Sequence, residues 1–485
     1  MNDQLTLILP WLVLIAGILI TLLVSVIRVN TKRPAQIFAL ITLILTLVAS
    51  LAGMNEPAVT LYSGAMEVSG ITHLVLALFS GIGILFILGA SRYLTKENLH
   101  LSDYYHLLLI LILGASVLSS AKDLIVMFIA LEVMSLPAYT LTGFRRNDSR
   151  SNEAAIKYFV LGGAMGAVFL LGSSFLFGAT GTTRLADIFT WSQTASGDLT
   201  LFYVGHILVL IAFLFKVAAA PFHFWKPDVY EGAPTPVTGI MATIVTTAAF
   251  VTLIRLVHIV DFSKIEWNSY AEVLKQFIRV SAGLSLIVGS VVLVTQTNLK
   301  RMLAYSSISH TGYLLLGVLG SLYQVDQVYA VFIYLFGYTL MTCGMFVLIS
   351  QSEPKADTGT ELVDLTGLLK RAPFMTALWA VFLLSMTGMP FTVGFFTKYF
   401  VFLSSISAGE TPVVVVAALC TVIGAYAYLR PLALMVMRDA DPSAANWKGS
   451  VASYSVATVS ALAVLGLGIL PAGMIHLLKG ITLIH

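Results

Sequence analysis

Four ionisable side chains of this sequence fall well inside apolar stretches: Glu132, Lys157, Lys216 and Lys398. A charge at the centre of a membrane-spanning helix costs about 3 kcal/mol on insertion scales, so it marks an ion or proton path more often than packing. Lys216 stands five residues before Pro221. Proline has no N–H, and its ring crowds the carbonyl four residues back. The backbone near Val217 is therefore left in need of a donor beside an ammonium, and water is the natural one. Lys398 is placed in a similar way, after the interruption made by Gly388, Pro390 and Gly394. Glu132 is the acidic residue at mid-span. One carboxylate and three ammoniums invite pairing, either as a structural ion pair that fixes helix packing or as a titrating relay. The turn Tyr305, Ser306, Ser307, Ser309, His310, Thr311 adds hydroxyls and an imidazole, groups able to pass protons.

The elements that must position these groups follow from composition. Apolar residues make up 58% of 485 and charged residues 11%, and the apolar runs exceed the roughly 20 residues a span requires. The fold class is an all-α polytopic membrane protein. Fourteen spans are expected, at about 5–27, 35–53, 70–91, 104–120, 123–144, 154–178, 201–222, 236–258, 276–296, 302–322, 327–351, 373–407 (broken), 411–435 and 452–476. The first is too long for a signal peptide. No strands are evident. The net charge of +3 is dispersed and argues against nucleic acid. Cys343 and Cys420 lie in apolar spans without metal-ligand spacing, so no metal site is expected, and His73, His206 and His258 are isolated.

Span seven and span twelve both combine a buried lysine with a Pro/Gly interruption. They are five spans apart, and an odd offset makes an equivalent pair antiparallel, the signature of an inverted repeat. Arg255, Arg430 and Lys479 lie near span ends, where snorkelling accounts for them. Gly162, Gly163 and Gly166 predict a close helix-packing face. Thr235-Pro236 reads as N-cap and first residue of span eight. Leu362, Leu365, Leu368 and Leu369 predict a short amphipathic helix on the membrane surface. Residues 179–200 form a Gly/Thr/Ser-rich connection with no catalytic constellation.

Three runs, at residues 216–237, 296–313 and 388–398, carry a resemblance. They are similar to the subunit N family of the bacterial proton-pumping NADH-quinone oxidoreductase (respiratory complex I), and the similarity extends over essentially the whole chain. It implies an antiporter-like fold of about 14 transmembrane helices, with two inverted five-helix repeats and discontinuous helices 7 and 12. The implied division is 1–100 (helices 1–3), 101–260 (first repeat, helices 4–8), 261–440 (second repeat, helices 9–13) and 441–485 (helix 14). Glu132, Lys216 and Lys398 match the family's relay, and Lys157 and His223 match further family positions.

The resemblance further implies a non-redox subunit of a proton-translocating NADH:quinone oxidoreductase in the bacterial inner membrane. No cofactor is expected in this chain, while FMN, iron–sulfur clusters and quinone belong to partner subunits. The partners are other complex I membrane subunits, neighbouring antiporter-like subunits among them, and the lipid bilayer. One departure stands out. Members commonly carry a lysine in helix eight, where this chain has Thr246, with Thr243 and Thr247 nearby; water held by these threonines and His310 is the expected substitute. The alternative is a subunit of a multisubunit Na+/H+ antiporter, against which the loop Asp228 to Pro234 favours subunit N. A purely structural scaffold is a third reading, disfavoured by the deep lysines.

Orientation follows from loop charge. Sixteen basic residues, among them Arg28, Arg92, Arg145, Lys226, Lys355 and Lys448, fall in odd-numbered connections and five, including Lys122 and Lys264, in even ones. The basic side is cytoplasmic, which places both termini outside. Cysteines at Asn30 and Asn147 are expected to react with an impermeant thiol reagent only from the cytoplasmic side, and one at Thr194 only from the outside. Labelling of all three from one side contradicts this orientation.

Overall fold

The protein is described here by a computed structural model covering residues 2–27, 32–99, 101–260, 262, 267–351, 360–441, 447 and 449–480, with only the backbone described for 2–6, 27, 32, 479 and 480. Arg28, Asn30, Lys264, Lys355 and Lys448, used above for orientation, lie outside the described residues, as does the side chain of Lys479.

The chain begins with helices α1 (Asn2–Ile27) and α2 (Lys32–Gly53) and a hairpin of β1 (Val59–Leu61) and β2 (Met66–Val68). There follow α3 (Gly70–Gly89), α4 (Ser91–Lys96), α5 (Ser102–Ser120), α6 (Leu124–Thr142), α7 (Ser149–Thr180), α8 (Leu185–Ser192), α9 (Thr200–Lys216) and α10 (Lys226–Gly232). Next come α11 (Thr235–Ile240), a π-helical turn (Met241–Val245), α12 (Thr246–Val257), α13 (Asn268–Thr295), α14 (Leu299–Ser321) and α15 (Val328–Ile349). The chain continues through α16 (Leu368–Arg371), α17 (Pro373–Thr387), α18 (Val393–Ser407), α19 (Thr411–Met437), α20 (Val451–Ile469) and α21 (Ala472–Gly480). In a bilayer the backbone must satisfy its own hydrogen bonds, and apolar runs of this length do so as helices. Polar residues set their starts: Asp123 accepts from the N–H of Ile125 at 2.8 Å, and Asn298 accepts from that of Lys300 at 3.0 Å.

Twelve of the described helical segments are long and apolar enough to cross a membrane. The other two expected segments are the 17-residue α9 and the pair α17 and α18, 15 residues each. Segment α11–α12, α14 and α15 are buried along nearly their whole length, whereas α1, α2, α7, α13, α19 and α20 are buried over less than half. The outer helices turn rows such as Leu19, Leu23, Ile41 and Val48, or Leu419 and Val422, outward. Apolar rows of this kind suit contact with the hydrocarbon of a bilayer.

Several local expectations are corrected. The β1–β2 hairpin pairs Val59 with Val68, and its Glu67 holds Lys122 and Arg255, the latter at 3.6 Å. Arg255 is thus buried against a carboxylate instead of snorkelling. Arg430 donates to the carbonyls of Val294 and Gln296, closing the end of α13. Thr235 is already helical and Pro234 holds the N-cap position. Leu362 and Leu365 sit in a single 3₁₀ turn, and with Leu368 they are buried in protein, so no amphipathic surface helix forms there among the described residues. The connection at 179–200 contains α8, and α20 stops before Pro471.

Two glycine positions are set by close approach. A Cβ on Gly162 would collide with the Tyr139 hydroxyl, and one on Gly166 would lie 3.1 Å from Glu132 Oε1, whereas Gly163 faces open space. The packing face of α7 therefore makes room for two groups of α6. Gly394, at the start of α18, abuts the Ser385 carbonyl. Gly394→Ala must push α18 away from the end of α17, and a loss of ~1–3 kcal/mol is expected. Gly163→Ala should cost nothing. Thermal melting of the purified assembly in detergent checks the pair, and equal melting temperatures refute the close-packing account.

Candidate functional site

The first centre lies where α6, α7 and α9 meet. Lys216 is the last residue of α9 and is buried, and its ammonium donates to Ser135 Oγ at 2.7 Å. It lies 5.4 Å from the ring centroid of Tyr139 and 5.2 Å from that of Tyr158. Glu132 is half-buried on α6, one turn before Ser135, and acts on Lys216 through space. Glu132, Ser135 and Tyr139 follow i, i+3, i+7 spacing and share one helix face. The spacing of that face is legible in the sequence, but only the charge of Glu132 marks it as unusual.

Past Lys216 the chain leaves helical geometry. Ala218 has φ +55° and the Ala220–Pro221 bond is cis. The freed groups are met by protein donors and acceptors where sequence suggested water. Thr311 donates to the Val217 carbonyl at 2.9 Å, and Trp225 Nε1 donates to that of Phe215 at 3.0 Å. Ser281 donates to the Ala220 carbonyl, and the Ala220 N–H donates to Ser285, both at 2.7 Å. Thr311 is on α14 and the two serines are on α13, so distant sequence supplies these partners.

The second centre is the junction of α17 and α18. Gly388 (φ +89°) ends α17, and Phe391 has φ +68°. Lys398, on α18, is buried and reaches back so that its ammonium donates to the carbonyls of Met386 at 3.1 Å and Thr387 at 3.0 Å. A cation at the C-terminal end of a helix meets both unpaired carbonyls and the negative end of the helix dipole. The same ammonium lies 5.3 Å from the centroid of Tyr313.

Hydroxyls and rings fill the space between the centres. His310 on α14 is buried, with Nδ1 2.6 Å from the Tyr334 hydroxyl and Nε2 3.5 Å from that of Tyr428. Its ring lies 4.9 Å from that of Tyr338, whose hydroxyl donates to Ser307 at 2.8 Å. Thr246 follows the π-turn and donates back to the Met241 carbonyl at 3.1 Å, while Thr243 donates to that of Gly239 at 2.7 Å. These two hydroxyl protons are therefore spent inside their own helix. Thr247 pairs with Thr339 at 3.1 Å. Ser135, Tyr139, Tyr158, Tyr334, Tyr338 and Tyr428 carry no signal in the sequence, since a lone tyrosine or serine in an apolar helix has no distinguishing pattern, whereas Thr311 lies in the hydroxyl-rich turn that the sequence does mark.

Other candidates fall elsewhere. Lys157 is 39% exposed and pairs with Glu153 at 2.7 Å and Asp228 at 2.9 Å, so it is not a deep lysine. Arg301 reaches the same Asp228 and Glu231, each at 2.9 Å. Burial acts to raise the Asp228 carboxyl, but the hydrogen bonds from Lys157 and Arg301 prevail and hold it below its usual value. This cluster ties α7, α10 and α14 together. His223 is half-buried beside the first interruption. His206 is fixed by the Leu256 carbonyl at 2.9 Å and Tyr270 at 2.7 Å, and His258 by Ser321 at 3.0 Å.

A polytopic helical membrane protein with two buried lysines at helix ends, joined by a polar interior, is of the antiporter-like class. Residues 121–464 match the family described as NADH:quinone oxidoreductase/Mrp antiporter, transmembrane. The chain is 37% identical over 468 residues to NADH-quinone oxidoreductase subunit N 1 of Chloroherpeton thalassium, covering 95% of each. It is 35% identical over 496 residues to subunit N of Myxococcus xanthus, covering 96% of this chain and 94% of that one. A chain of respiratory complex I from Thermus thermophilus superposes with a TM-score of 0.81 at 30% identity, over 96% of this chain and 98% of that one. A chain of the Mrp complex from Dietzia sp. shares the fold, with a TM-score of 0.84 at 18% identity, over 98% and 96%. This chain belongs to the NADH-quinone oxidoreductase subunit N family.

The Thr311 contact gives a direct test of the first interruption. Thr311→Val keeps the shape but leaves the buried Val217 carbonyl without its donor, at a cost of about 1–3 kcal/mol, whereas Thr311→Ser retains it. The Val variant is expected to melt several degrees lower in detergent and the Ser variant near wild type. Identical melting of the two would show that the hydroxyl contributes nothing there.

Proposed function

We propose that this chain is a proton-translocating, non-redox subunit in the membrane arm of an NADH:quinone oxidoreductase. The observation that carries the reading is the pair of buried lysines, Lys216 and Lys398, each seated at the C-terminal end of a helix that stops inside the protein. Among the described residues each ammonium is held by neutral partners, so either can release its proton without breaking a direct ion pair. Glu132 is the control. While its charge faces Lys216 the ammonium is favoured; when that influence weakens, the proton leaves toward the hydroxyls around Ser307 and His310, on to Lys398, and then outward.

The magnitudes are compatible with pumping. Two unit charges about 6 Å apart at an effective dielectric of about 20 interact by about 3 kcal/mol. Moving one proton against a potential of about 200 mV takes about 4–5 kcal/mol. One charge switch is thus of the same order as the work done.

In this reading the first relay centre belongs to a five-helix unit at 101–260 and the second to an inverted unit at 261–440, flanked by 1–100 and 441–485. The protein sits in the bacterial cytoplasmic membrane with both termini outside. FMN, iron–sulfur clusters and quinone are held by partner subunits, and neighbouring antiporter-like subunits pack beside it. Lys157 and His223 have lesser parts, at the cytoplasmic rim and beside the first interruption.

In assembled complexes reconstituted into proteoliposomes, Glu132→Gln and Lys216→Ala are each expected to reduce NADH-driven proton uptake several-fold. Glu132→Asp should lose less, because it keeps the charge. Wild-type uptake by assembled Glu132→Gln and Lys216→Ala complexes would refute the relay and leave both groups a structural role.

A further inference from the structure

Lys226 is out of place as a loop cation. It opens α10 and is counted by charge pattern with the cytoplasmic connections, yet it is 1% exposed. Its ammonium has no hydrogen-bond partner among the described residues. What it meets is the face of Tyr230, with Nζ 5.2 Å from the ring centroid. A cation–π contact returns only part of what an ammonium loses on leaving water. Lys300, equally buried and nearby in the fold, shows the usual remedy: its ammonium donates to the Ala233 carbonyl at 3.0 Å. A buried amine with no acceptor is poised to exchange its proton, because no ion pair or hydrogen bond holds it in the charged form.

The position is also central. Trp225, the preceding residue, stacks on Tyr158 with centroids 4.7 Å apart, and Tyr158 is one of the two rings over which Lys216 lies. The Tyr230 phenol interacts with Tyr158 and Tyr338 and with the side chains of Ser307 and Thr246. His310 feels both Lys226 and Lys398 electrostatically. Lys226 is therefore joined to the first centre through Trp225 and Tyr158 and lies within electrostatic reach of the imidazole, and the ring it faces interacts with the threonine at the span-eight position where this chain has no lysine.

We propose that Lys226 is the middle proton carrier of the relay, taking a proton released by Lys216 and passing it to His310. This rests on the relay reading above. The step is a plain transfer: one N–H bond breaks at the Lys216 ammonium and one forms at the neutral Lys226 amine. The second transfer repeats this from the Lys226 ammonium to a ring nitrogen of His310, which returns the Lys226 amine to its neutral state. A residue from α10 thereby does what Thr246 cannot, since a threonine hydroxyl does not hold an extra proton at neutral pH.

Three variants in the assembled, reconstituted complex test this. Lys226→Met removes the amine at similar length and is expected to cut NADH-driven proton uptake at least fivefold. Lys226→Arg keeps a cation over Tyr230 but does not deprotonate, and it should be equally defective. Lys226→Met combined with Thr246→Lys, which returns an amine to the Tyr230 pocket from α12, should regain uptake. Wild-type uptake in Lys226→Met, or full uptake in Lys226→Arg, would overturn the proposal and leave Lys226 a structural cation. If the Met variant fails to assemble, the Arg variant decides by the same criterion. Loss of uptake in Lys216→Ala together with normal uptake in Lys226→Met would refute this inference alone; normal uptake in both would refute the relay itself.

Discussion

A carbonyl released from a helix inside a bilayer must find a donor, and the interior of this protein is arranged around that requirement. Each interruption opens the backbone at a place where no solvent is assured. At the first, Thr311, Trp225 and Ser281 supply the donors. At the second, the donor is Lys398 itself. The two interruptions solve one problem with different groups. The first frees its lysine to bond Ser135. The second engages its lysine with the very carbonyls that the break exposes.

Charge is graded across the fold. At the rim, Lys157, Arg301, Asp228 and Glu231 form a shared ion-pair cluster, where both partners are partly hydrated and each pair contributes little by itself. Closer in, Arg255 meets Glu67 and the Ala121 carbonyl. Among Lys216, Lys398 and Lys226 the partners are hydroxyls, carbonyls and aromatic faces. A carboxylate in contact would hold a lysine permanently charged, whereas neutral partners leave its protonation open to change. Glu132 stands one turn before the Ser135 that Lys216 bonds, and acts on the ammonium through space without a direct contact among the described residues.

The packing serves the same end. Gly166 lets Glu132 lie against α7, and Gly162 admits the Tyr139 hydroxyl beside it. Both interruptions also hold a non-glycine residue at positive φ, Ala218 and Phe391. Such backbone is kept only where surrounding contacts over-determine it, which is common at functional positions. The π-turn at Met241–Val245 is a local departure of the same kind, on the most buried helical segment.

Sequence alone determined the helical membrane class and marked Lys216 and Lys398 as charges beside breaks in apolar runs and Glu132 as a charge within one, because length of apolar run, proline and isolated charge are local properties. It misjudged what depends on neighbours distant in the chain. The hairpin around Glu67 is too short to show a period. The depth of Lys157 and Lys226 was inverted, since a lysine two turns into a long helix can sit at the rim, while one after a break can be folded inward. The donor to Val217 comes from residue 311, and the ring above Lys226 interacts with Ser307 and Thr246. Which hydroxyl faces which amine is fixed only when α6, α7, α9, α10, α12 and α14 pack, and no spacing along one helix encodes that meeting.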